Sequence, residues 1–290
     1  MGRSIRRGII IFGLGYLLNF LRGTLPVIVG VMLGNITLED MSITSPFYYM
    51  LEIDILQFAG LAFIVLALVR RFIKKPAFIV ILGCVIALIG DIISKLTAGW
   101  APLDYLFQLL WGTADYTFFP LLPWISFGLF GLAFGNGWLN SKDNNKFYMR
   151  SVCYGIASII IGFIISYTSD ELLISDFFAR SFMHGVIPSS VIFLIAGFIP
   201  IWLALYHVLA AKIPENNFFK RLSNWSKSVT PFYCLQWIII GWLTVFIWDL
   251  EVLAVIIFTL GIIVLTEISL TIYKGIITFG KGGPKKSPHL

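Results

Sequence analysis

Residues 118–135 read FFPLLPWISFGLFGLAFG, and this stretch decides the class of fold. A bilayer core about 30 Å thick needs roughly 20 apolar residues in a helix rising 1.5 Å each, and the run supplies them without a charge. Pro120 and Pro123 fall in its first turns, where a missing N–H costs little. Trp124 lies where an indole keeps its N–H near lipid headgroups. Gly128, Gly131 and Gly135 recur at helical spacing and predict a bare face for a neighbouring helix. The stretch reads as a membrane helix buried among others.

The rest of the chain agrees. Of its 290 residues 58% are hydrophobic and 12% charged, against about 25% charged in a soluble domain. The net charge of +6 is segregated by loop, so it reads as membrane topology and excludes a nucleic-acid partner. Cys84, Cys153 and Cys234 all stand in apolar runs, as free buried thiols do. Arg3, Arg6 and Arg7 lead into a hydrophobic run too long for a signal peptide and lacking a small-residue cleavage site, so no cleavable leader is expected.

Hydropathy marks about eight spans, at 8–33, 52–72, 77–97, 117–138, 148–168, 186–210, 228–248 and 251–273. If they alternate, 18 of the 21 Lys and Arg residues fall on one side, with Arg22, Lys95 and Arg180 the exceptions. The positive-inside rule then puts both termini in the cytoplasm. The expected architecture is all-α: a polytopic bundle over residues 1–275 with a flexible basic cytoplasmic tail over 276–290. Short loops suit a bacterial cytoplasmic membrane. The first span is interrupted by Arg22-Gly23 and Pro26, which predicts a kink, or an end near Leu21 with a re-entrant continuation. Residues 98–116 are amphipathic and aromatic and predict a short helix at the outer interface.

Ionisable groups at bilayer depth cost at least about 2.5 kcal/mol each, so each needs a partner or a wet cavity. Arg22, Asp54, Gln57 and Asp91 reach similar outer depth from three spans. Read functionally, they line a shared cavity open to the outside. Read structurally, Asp91 neutralises Lys95 one turn away and Asp54 is interfacial. Glu267 has no local cation, and Arg150 is the nearest candidate partner. His207 packs or caps, and His289 is a tail residue. His184, on the outer side, is the one histidine placed to act as acid or base there. Zincin, nucleophile-elbow, Walker and paired-cysteine patterns do not occur, which leaves metal-site, hydrolase and ATPase readings without support.

Five segments together carry a resemblance: Arg6-Arg7-Gly8 followed by IIIFGLGYLLNF, DILQFAGL at 54–61, FPLLPWISFGLFGLAFG at 119–135, Ile187-Pro188-Ser189-Ser190, and TPFYCLQ at 230–236. In order and across nearly the whole chain, they resemble the core helices of the membrane acyltransferases related to heparan-alpha-glucosaminide N-acetyltransferase. The resemblance implies transfer of an acetyl group from cytoplasmic acyl-CoA to a glycan or lipid-linked sugar beyond the membrane. Arg3-Ser4-Ile5-Arg6 matches that superfamily's Arg-x-x-Arg element, so Arg3, Arg6 and Arg7 become the expected acyl-CoA contacts. Guanidinium forks suit its phosphates, and a positive-inside anchor would use the same residues. Arg22, Asp91 and Gln236 become the expected substrate contacts, with Gln236 where bacterial relatives often have histidine. Gln57 and Gln236 become donors to the thioester oxyanion.

Relatives begin with two further helices that carry an Asp-x-x-Arg-Gly motif and a catalytic histidine. This chain begins at the equivalent of their third helix, so either it is a piece of a longer member that carries those helices, or a substitute such as Asp54 or His184 replaces that base, or catalysis is absent. The competing expectations are a non-catalytic membrane protein of the same fold and a small-solute transporter, the latter without paired half-repeats in the sequence.

Overall fold

The computed structural model describes residues 1–94, 96–112, 114, 116–169, 187–210, 216–247 and 251–280, apart from the side chains of 91, 210 and 277–280. These residues are helical apart from their connections and one isolated bridge. Helix α1 spans Gly2–Asn19, a π-helical turn covers Phe20–Thr24, and α2 spans Leu25–Met32. The π turn has a local cause. Pro26 has no N–H for the Arg22 carbonyl, and its ring would press on that carbonyl in a regular helix. The turn widens, and the Leu25 N–H reaches back to the Phe20 carbonyl. The expected interruption is therefore present, but the re-entrant break is not, because the helix runs unbroken over Gly2–Met32. It stops at Gly34, whose φ of +72° favours glycine.

The other helices are α3 (Ile55–Phe72), α4 (Pro76–Ile93), α5 (Ala101–Trp111), α6 (Leu121–Leu139), α7 (Asn144–Thr168), α8 (Ser189–Ala210), α9 (Asn217–Lys227), α10 (Val229–Leu243) and α11 (Val252–Gly280). Five segments are long and apolar enough to cross a membrane: Gly2–Met32, Ile55–Phe72, Asn144–Thr168, Ser189–Leu209 and Val252–Ile276. Pro76–Gly90 and Val229–Leu243 are shorter apolar helices. The last long segment, at 252–276, is the most apolar of the five, yet only 11% of its apolar window is buried. In water that inversion would be untenable, whereas an integral membrane protein covers such a face with lipid. The short helix expected within 98–116 is present as α5.

The chain divides into two compact units, Met1–Tyr16 with Leu51–Ile213, and Leu17–Met50 with Pro214–Leu290. In the first unit helices approach at glycines. Gly8 of α1 and Gly60 of α3 lie backbone to backbone, so that a Cβ on either would come within 2.7 Å of the other's carbonyl oxygen. Gly155 of α7 and Gly197 of α8 repeat the arrangement, and Ser158 Oγ donates to the Phe193 carbonyl beside them at 2.7 Å. On α4, Gly90 receives Pro123 and Gly83 receives Phe130 of α6.

The opening stretch is thus packed, but not as its glycines predict. Gly128 meets Leu66, while a Cβ at Gly131 or Gly135 would touch nothing among the described residues. The small residues at this contact belong to α4. Pro120 is the N-cap of α6, and Leu122 is non-helical, so regular helix begins at Pro123.

In the second unit α10 packs against the π turn and α11. The Arg22 carbonyl, to which Pro26 has no N–H to offer, lies against Gly241, where any side chain would collide with it.

Candidate functional site

The densest polar constellation among the described residues lies where α3 begins. Residues 52–54 and 116–118 run side by side: the Ile53 N–H donates to the Tyr116 carbonyl at 2.8 Å, and the Phe118 N–H to the Ile53 carbonyl at 2.8 Å. The starts of α3 and α6 are thereby tied together. Asp54 is the N-cap of α3, and its Oδ1 accepts from the Ile55 N–H at 2.6 Å. Gln57 completes a capping box. Its Oε1 accepts from the Asp54 N–H at 3.2 Å, and its Nε2 donates to the Glu52 carbonyl at 3.2 Å. The Gln57 amide is fully buried and rests against Gly15 of α1, which leaves it room by having no side chain. Each bond satisfies a backbone group that the helix start would otherwise leave bare.

Three tyrosines border this cap. The Tyr105 hydroxyl on α5 donates to the Leu51 carbonyl at 3.3 Å and lies 2.9 Å from the Tyr16 hydroxyl. Tyr116 stacks on Tyr105 at 6.4 Å between ring centroids. Burial, then the bond to Tyr16, pushes the Tyr105 phenol well above its ordinary range. Burial, then the nearby Asp104, raises the pKa of Tyr116. Both phenols therefore stay protonated at neutral pH. Gln108 anchors the same corner, its Oε1 accepting from the Ala114 N–H at 2.9 Å and the Thr117 hydroxyl at 3.2 Å. Neutral hydroxyls, amides and one carboxylate form a surface suited to hydrogen-bonding a polyhydroxy or amide-bearing ligand.

Asp54 and Gln57, expected from the sequence, are thus brought together, both buried. Arg22 and Gln236 belong to the second unit. There the Arg22 guanidinium lies 4.8 Å from the Trp237 ring centroid, a cation–π contact, and Gln236 is the half-buried neighbour of that Trp. Asp91 is in α4 but its side chain lies outside the described residues, as do Lys95 and His184. Arg3, Arg6 and Arg7 are exposed on the first turns of α1. Arg7 stacks over Phe63 at 5.4 Å, while Arg3 and Arg6 are one turn apart on α1. Glu267 pairs with Arg221 at 4.0 Å in the second unit. Arg150, the partner expected from the sequence, is part of the other unit. His207 packs as expected, stacked on Tyr148 at 4.3 Å with Nε2 3.2 Å from Asn145 Oδ1.

The sequence reading missed Tyr16, Tyr105, Tyr116 and Gln108. Their alignment depends on α5 folding back onto the start of α3, a contact between residues 89 apart for the Tyr16–Tyr105 pair. The capping box did have a local signal, an acceptor followed three residues later by Gln just before an apolar run. No family model, curated protein or solved structure matches this chain.

Proposed function

We propose that this integral membrane protein has eight spans with both termini in the cytoplasm, and that it transfers an acyl group from cytoplasmic acyl-CoA to a sugar acceptor outside. The cluster around Asp54 is the acceptor site. The observation supporting this reading is the company kept by the segments that carry the family resemblance. Of the five, 230–236 lies in the second unit; 54–61, 119–135 and 187–190 lie together in the first unit, with residues 6–16 of the N-terminal segment. Within it α1 meets α3 at Gly8 and Gly60, the starts of α3 and α6 are paired, and Ser189 Oγ donates to the Ala87 carbonyl at 2.7 Å.

In the proposed reaction the Asp54 carboxylate takes the proton of an acceptor hydroxyl or amine. The acceptor atom attacks the thioester carbonyl, the carbon–sulfur bond breaks, and coenzyme A leaves as the thiol once that proton is passed on. The second N–H of Gln57 Nε2 and the protonated phenols supply donors for the developing oxyanion. Arg3 and Arg6 hold the donor's phosphates.

A second reading is favoured by the capping box itself. Asp54 and Gln57 are both engaged in starting α3, the work of a non-catalytic protein of the same fold. Labelled acetyl-CoA and an amino sugar, added to purified protein in nanodiscs, separate the two. Transfer that falls about 100-fold or more in Asp54→Asn is the catalytic outcome. With the fold intact, absence of both labelled protein and labelled sugar would establish the non-catalytic one.

A further inference from the structure

The last turn of α3 and the connection to α4 carry Arg70, Arg71, Lys74 and Lys75 within six residues. All four side chains are exposed, and the described ion pairs, Lys146–Asp143 and Arg221–Glu267, involve none of them. Lys74 Nζ donates to the Arg70 carbonyl in the last turn of α3 at 3.3 Å and Lys75 Nζ lies 5.9 Å from the Phe78 ring centroid in the first turn of α4, so the two ammoniums are held on either side of the connection. From them a groove of about 580 Å³ runs down α4, walled by Phe72, Phe78, Ile81 and Val85, with no carboxylate in its lining. Phe72, Phe78, Ile81 and Val85 are all strongly exposed.

Two ammonium groups that pair with no carboxylate among the described residues, beside an apolar trough, are complementary to an anion that carries a hydrocarbon chain. We infer that this groove is a binding site for an anionic phospholipid, its phosphate between Lys74 and Lys75 and one acyl chain along Phe78, Ile81 and Val85. A zwitterionic lipid offers the same chain but brings its own cation to the lysines, so the site discriminates by charge. The inference requires only that α3 and α4 lie in a membrane, and it is independent of acyl transfer.

The test is native mass spectrometry of the full-length protein in detergent, titrated with phosphatidylglycerol or phosphatidylcholine. Phosphatidylglycerol is expected to stay bound in preference to phosphatidylcholine. Lys74→Ala/Lys75→Ala is expected to weaken it roughly thirtyfold, while Lys74→Arg/Lys75→Arg retains it and Lys142→Ala/Lys146→Ala leaves it unchanged. Val85→Trp, which fills the trough without altering charge, is expected to release the lipid as well. Equal retention of the two lipids, undiminished binding in Lys74→Ala/Lys75→Ala, or displacement of the lipid by coenzyme A at equimolar concentration would overturn the assignment.

Discussion

Asp54 and Gln57 show how one side chain can be claimed by both folding and chemistry, and conservative substitutions separate the claims. Asparagine caps a helix as well as aspartate does, so Asp54→Asn is expected to leave the thermal midpoint nearly unchanged while removing the base. Gln57→Leu deletes two buried hydrogen bonds and exposes the Asp54 N–H and the Glu52 carbonyl to an apolar interior. It is expected to cost about 2 kcal/mol, measured by chemical denaturation in micelles. The tyrosines act in the alkaline range. A phenol whose pKa is raised by folding contributes stability that is fully present below its unfolded value of about 10 and is lost as pH rises toward the folded value. The unfolded chain ionises first, so stability should fall above about pH 10 and fall less steeply in Tyr105→Phe, as alkaline unfolding curves would reveal.

Among the elements, sequence reading succeeded where the signal is local. Length and hydropathy place the helices, amphipathic spacing places α5, and Arg22-Gly23 followed by Pro26 marks the π turn. It failed where the signal is a partnership. Gly128, Gly131 and Gly135 look like a packing face, yet nothing in the α6 sequence says that α4 supplies the bare surface through Gly83 and Gly90. The same geometry predicts opposite outcomes for formally identical changes. Gly60→Ala sets a methyl 2.7 Å from the Gly8 carbonyl oxygen and the Phe12 backbone nitrogen, and is expected to destabilise by about 1–3 kcal/mol. Gly131→Ala has open space and is expected to stabilise by about 0.5–1 kcal/mol through helix propensity. Paired thermal-shift measurements on the two variants check both signs.

For the molecule as a whole, the apolar excess that identifies a membrane protein is visible in composition and again in faces left uncovered, as on α11. The tyrosine and Gln108 part of the site was invisible in the sequence because α5 and α1 meet there only after folding. The half built from residues 52–57 was visible as residue types, though not as a cap. In the proposed topology hydrocarbon-crossing helices place residues 34–51 outside and the basic α3–α4 connection inside. Single cysteines at Glu39 and Lys74, in a protein whose native cysteines are replaced by serine, test it through labelling of intact cells by a membrane-impermeant maleimide. Labelling is expected at position 39 in intact cells and at position 74 only after permeabilisation. Equal labelling of both positions before permeabilisation would contradict it.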